Sequence, residues 1–257
     1  MTSPPIYSSL RNNVHEIRLL EVDRDSLADP TQPVRISLAQ FLLADAPPYI
    51  AVSYFWGDPN DTVPALVNSV TTQITKNLES ALRSVGAGGW ADLAMSGTHG
   101  PWRIWADAIC INQHDLSERS HQVSFMAEIY RHSASTVVWL GIGFDEGERT
   151  RAFIEEWAEI QERGAVEEYA VLIGTLPNTL DEKSVKAFHK VFEKPWWTRV
   201  WVLQEFVVSP AVFFWLGSTA ISFDRIALAT KADRRLAVLN IEDLIKQGTT
   251  NSVCRIF

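Results

Sequence analysis

The chain has 257 residues, of which 46% are hydrophobic and 21% charged, a composition that fits one large domain or a domain with an added subdomain. Its formal net charge of −8 and the lack of any long Lys/Arg run argue against nucleic-acid binding, which depends on positive charge matched to phosphates. Two cysteines do not make a disulfide framework, and no apolar stretch approaches the roughly 20 residues of a spanning helix. The expectation is a soluble protein of the cytoplasm with no membrane span.

Residues 14–22 and 34–43 read as short mixed strands, or as a strand and a helix, separated by turn chemistry at Asp29-Pro30. Residues 49–55 are continuously apolar apart from Ser53 and run into Trp56-Gly57-Asp58-Pro59. That is the pattern of a strand buried on both faces and followed by a loop. Residues 68–75 offer a minor strand pair. Leu78, Ala81, Leu82 and Val85 then repeat at helical spacing over 76–85. Five glycines in 86–100 mark a long connection.

Residues 102–111 (WRIWADAICI) read as a second buried strand, with Asp107 inside it and Cys110 and Gln113 at its exit. Asp115 caps a helix over 116–132, with Glu118 completing a capping box. Residues 136–140 form a third buried strand, and 145–163 and 182–193 are charged amphipathic helices. Pro195 suits the first turn of a further helix, on which Trp197, Trp201, Gln204/Glu205 and Val208 follow a 3.6-residue period. A strand over 211–216 and a helical tail complete the reading. Strands alternating with helices predict a parallel sheet with helices on both faces. Residues 1–48 are read as an extension packed on the core, 49–217 as the main domain, and 218–257 as a helical segment of a longer protein.

In such a sheet, ligands bind outside the carboxyl ends of the strands. Asp107 is costly in an apolar strand unless it serves a site or is bonded to a neighbouring loop, and both readings stay open. Arg199 and Glu205 are six apart, too far around one helix to pair, which leaves Glu205 free to point elsewhere. Cys110 with His114 or His121 offers a nucleophile pair, against the commoner role of cysteine as a small core residue. Asp107, His114, Asp115 and His121 fit no familiar ligand spacing, and no metal is expected.

Three segments standing in order resemble the HET (heterokaryon incompatibility) family. They are Tyr49 to Gly57 (YIAVSYFWG), Ile104 to Gln113 (IWADAICINQ) with Glu118-Arg119, Gln122, Met126, Tyr130 and Trp139-Leu-Gly141 beyond it, and Trp197 to Glu205 (WTRVWVLQE). The resemblance implies a fungal protein whose activation accompanies cell death when unlike hyphae fuse. It also implies a Toll/interleukin-1 receptor (TIR)-like, flavodoxin-like α/β fold with family-specific insertions.

Many domains of that wider group cleave the nicotinamide–ribose bond of NAD with a glutamate in a Trp-x-x-x-Glu pattern. Trp201-Val-Leu-Gln-Glu205 has this form, so the resemblance assigns the catalytic role to Glu205. NAD is then the substrate and no cofactor is called for. Ser53, Trp56, Gly57, Asp107, Cys110, Gln113, Glu118, Arg199 and Gln204 complete the expected substrate site. Trp56 is assigned to stacking on a ring of NAD, and Arg199 to phosphate. The alternative is a non-catalytic, self-assembling signalling module, and self-association on activation is expected.

Overall fold

The structure is a computed structural model that describes residues 6–87, 102–141, 146–163, 182–199 and 202–232. Strands β1 (Glu16–Val22) and β2 (Val34–Leu42) pair antiparallel around a short helix α1 (Arg24–Ala28), capped by Asp23. The first of the two openings read from sequence, two strands, is thus the one adopted. β3 (Ile50–Tyr54) is buried along its whole length, as its unbroken apolar run requires. The strand pair expected at 68–75 begins earlier. β4 (Thr62–Val67) and β5 (Val70–Thr75) meet at Asn68 and Ser69, both with positive φ, as a two-residue hairpin turn demands. Helix α2 (Lys76–Ala87) follows, burying Leu78, Ala81 and Leu82.

The strand expected over 102–111 is only three residues long, β6 (Arg103–Trp105). Asp107 begins a helical turn, α3 (Asp107–Cys110), because its Oδ1 accepts the Ala108 amide at 2.7 Å and so offers the backbone a local alternative to the ladder. Asp115 caps the next helix as expected, accepting from the Ser117 and Glu118 amides. That helix is two pieces, α4 (Leu116–Ser124) and α5 (Met126–His132), broken at Phe125 with ψ of 19°. β7 (Ser135–Trp139), α6 (Gly147–Glu162) and α7 (Glu182–Phe192) stand where the sequence places them.

The single helix expected from Pro195 onward is interrupted. A 3-10 turn, Pro195–Thr198, ends at Arg199 in extended conformation, and α8 (Val202–Val207) begins only afterwards. β8 (Val212–Leu216) then turns back as β9 (Thr219–Ser222), a strand within the segment read as wholly helical, before α9 (Phe223–Ala232).

The nine strands of the described residues join one sheet in the order β5-β4-β2-β1-β6-β3-β7-β8-β9. The sheet is mixed rather than purely parallel. The run β6-β3-β7-β8 is parallel, whereas β1 pairs antiparallel with both its neighbours and β9 closes the far edge antiparallel. The N-terminal strands are therefore part of the main sheet. Along β7 and β8, Val137, Trp139 and Trp215 enter one core with Leu78, Ile109 and Ile129, and Val138, Phe214 and Leu216 enter a second with Phe153, Phe188 and Phe206. Helices thus cover both faces, each closing its own apolar layer. Gly147 starts α6 against the end of β8, where a Cβ would lie 2.1 Å from the Leu216 carbonyl oxygen. Among the described residues, no helix is long and apolar enough to cross a membrane.

Candidate functional site

Ser53 lies in register with Val138 on β7, which in turn faces Phe214 on β8, so its hydroxyl points into the second core. A hydroxyl has one proton to give and two lone pairs, and Ser53 uses all three. It donates to Glu205 Oε2, and it accepts from Trp196 Nε1 at 2.6 Å and from Arg199 Nη1 at 3.3 Å. Glu205 is 1% exposed on α8. Arg199 grips it with two parallel bonds, Nη1 to Oε2 and Nη2 to Oε1, each 3.0 Å. The Ser209 hydroxyl donates to the Glu205 carbonyl and pairs with Thr136 of β7, fixing the main chain as well.

The break at Arg199 makes this pair possible. On a continuous helix the two residues would diverge, but the extended conformation at Arg199 lets its side chain return to Glu205. The expectation that Glu205 is free is therefore corrected. Arg199 is likewise not an uncommitted phosphate ligand, because its charge is matched by Glu205 and, at 3.8 Å, by Asp107 Oδ2.

Asp107 stands beside this pair at the start of α3. The Trp56 indole donates to both its oxygens, at 3.0 and 3.1 Å, and the Gln113 amide donates to its carbonyl at 2.9 Å. Burial and the nearby Glu205 charge push its carboxyl up to about 6, against the pull of Arg199 and the Trp56 bond. Burial also raises the Glu205 carboxyl, with Arg199 and Ser53 opposing it. The same carboxylates raise the Arg199 pKa against the desolvation that would lower it.

These groups line a cavity of about 570 Å³, a volume suited to a small organic ligand. Phe55, Trp56, Asp107, Gln113, Arg199 and Glu205 form one part of its wall. Ile111, Arg119, Ser120, Val123 and Met126 form the other. Trp56, Asp107, Gln113, Arg199 and Glu205 thus converge as the sequence suggests, with Ser53 directly behind.

Three expected site residues lie off this wall. Gly57, at φ +78°, shapes the exit from β3, and a Cβ there would meet the Asn77 side chain at 2.7 Å. Glu118 turns away to form a buried bidentate pair with Arg18, at 2.6 and 2.9 Å, and accepts the Asn112 amide at 2.7 Å. Its carboxylate therefore does not complete the capping box. Cys110 is fully buried, and burial pushes its thiol up to about 12. It contacts the Ala106 amide and the Ile104 carbonyl, while His121 packs on Phe125, so no Cys–His nucleophile forms. Trp201 and the Gln204 side chain lie outside the described residues.

One contributor escaped the sequence reading: Trp196 holds Ser53 from below, and its neighbour Trp197 carried the periodicity instead. Arg119 stands in the family motif next to Glu118 but was given no role of its own.

Fold and site together define a mixed α/β domain with a buried, guanidinium-held glutamate at the wall of a ligand-sized cavity. The family described as heterokaryon incompatibility protein (HET) matches residues 49–205, and the chain belongs to that family. It is similar to heterokaryon incompatibility protein 6, OR allele, of Neurospora crassa, with 27% identity over 218 residues. That alignment covers 73% of this chain but 31% of the relative, so the chain spans about a third of the relative's length. No solved structure matches the chain.

Proposed function

We propose that this domain is an incompatibility effector that hydrolyses NAD at the nicotinamide–ribose bond, with Glu205 as its catalytic carboxylate, and that NAD loss is what kills the cell. One observation carries the reading. Glu205 is buried and gripped by Arg199 and Ser53, yet it lines the cavity, and among the described residues Oε1 has a single donor and acceptor capacity to spare.

Breaking the C1′–N bond develops positive charge on the ribose, as in glycoside hydrolysis. A fixed carboxylate stabilises that cation or accepts hydrogen bonds from the ribose hydroxyls. Nicotinamide leaves with the bonding electrons and becomes neutral, so no acid is needed to expel it. Water adds to C1′ and loses one proton, giving ADP-ribose, nicotinamide and H⁺. Ser53 and Arg199 position the carboxylate, and Asp107 and Trp56 border the same space.

The recombinant domain, assayed alone and when crowded or tethered, releases nicotinamide on this reading, and Glu205→Gln abolishes the release. Release undiminished in Glu205→Gln removes Glu205 from the mechanism. A second reading, a self-assembling module without catalysis, draws on four exposed large apolar side chains, Phe55, Trp56, Leu116 and Val207. It requires toxicity on expression to survive Glu205→Gln while cellular NAD stays constant.

A further inference from the structure

Two guanidinium groups reach the cavity wall, and their electrostatic situations differ. Arg199 is matched by Glu205 and Asp107. Arg119 is exposed on α4, and among the described residues no carboxylate pairs with it. The two acidic side chains nearest to it in sequence are engaged elsewhere. Asp115 caps the amides of Ser117 and Glu118, and Glu118 is turned inward to Arg18.

The rest of the wall supplies what a nucleotide needs besides charge. Phe55 and Trp56 stand 39% and 38% exposed at the end of β3, where most of the other large apolar side chains are buried. Ser120, next to Arg119, adds a hydroxyl, and Ile111, Val123 and Met126 add apolar surface. A guanidinium presents a planar fork of donors that matches phosphate oxygens in pairs. Aromatic faces suit stacking of a base.

We propose that Arg119 is the phosphate-binding residue of the cavity, and that its ligand is a phosphorylated nucleotide whose base stacks on Phe55 and Trp56. The choice of nucleotide rests on the reading of this cavity as an NAD site, whereas the demand for an anion rests on Arg119 alone. Arg119, and not Arg199, then distinguishes a nucleotide from its nucleoside. Among the described residues its side chain is exposed and has no hydrogen bond or ion pair, so substitution leaves folding intact, which far-ultraviolet circular dichroism checks.

The test is calorimetric titration of the wild-type domain and its Arg119→Ala and Arg119→Lys variants with ADP and with adenosine. The wild type binds ADP more tightly than adenosine. Arg119→Ala loses about tenfold or more of the ADP affinity, the scale of one charge-assisted pair of bonds, and keeps that for adenosine. Arg119→Lys falls between. Equal ADP affinity in wild type and Arg119→Ala overturns the proposal. So does a wild type that binds ADP no better than adenosine, or that binds neither. A domain that shows this Arg119-dependent preference but releases no nicotinamide keeps the phosphate site and loses the hydrolase reading.

Discussion

The molecule contains two buried arginine–glutamate pairs with the same bidentate chemistry and opposite surroundings. Arg18 and Glu118 are 1% and 6% exposed, and backbone groups take up most of their remaining capacity, the Asn112 amide on Glu118 and the Cys110 carbonyl on Arg18, while Arg18 Nε has no hydrogen-bond partner among the described residues. Arg199 and Glu205 are 14% and 1% exposed, are joined by side chains (Ser53, Trp196 and Asp107), and face a cavity. A pair bonded mostly by backbone groups ties loops to the sheet. A pair held by side chains beside open space keeps an acceptor for something else. The ion pair itself is no sign of function; what surrounds it is.

The largest effect that tests this contrast is on stability. Glu118→Ala strands Arg18 where water does not reach, and an uncompensated buried charge costs roughly 3–5 kcal/mol. Urea unfolding followed by far-ultraviolet circular dichroism measures it. A loss below about 1 kcal/mol, the worth of an exposed pair, would mean that Arg18 is solvated and the contrast false. Glu205→Ala costs less, about 1–3 kcal/mol, because the freed Arg199 still has Asp107 and the cavity. If the two variants unfold at the same urea midpoint, the second pair is as structural as the first.

The smallest effect is a pH slope. With its folded pKa raised to about 6, Asp107 binds a proton more readily in the fold than in the unfolded chain. Its ionisation therefore opposes folding: the domain loses stability as pH rises from about 4 to about 6, by at most about 1.4 kcal/mol per pH unit, and the penalty is complete above that window. Asp107→Asn, which has no charge to bury, flattens the slope in this window. Urea midpoints at pH 4.5, 5.5 and 6.5 check it, and equal slopes in the two proteins would mean that Asp107 titrates normally.

Much of the fold and part of the site were legible in the sequence. β3 and β7 announce themselves because strands buried on both faces admit few polar residues, and Ser53 stands out for the same reason. β6 was overextended because a run from Ile104 to Ile111 that is apolar but for Asp107 suits a short helix as well as a strand, and the local bond from the Ala108 amide to Asp107 favours the helix. The Arg199–Glu205 pair was hidden by a periodicity that suggested one helix, whereas the chain breaks there. Trp196 and Arg119 owe their places to partners, or to a lack of partners, more than a hundred residues away in some cases, and no local pattern encodes that. Glu118, weighed as a cap or a site residue, and Cys110, weighed as a core residue or a nucleophile, are decided by three-dimensional packing: Glu118 goes to Arg18 and Cys110 to the core.

Gly147 carries a consequence of a different kind. With 2.1 Å between a prospective Cβ and a backbone oxygen that cannot rotate away, the junction of α6 and β8 sets an upper limit of a single hydrogen on side-chain size. A lone methyl group at this position forces the start of α6 or the end of β8 to shift, with every atom of the cavity unchanged in sequence.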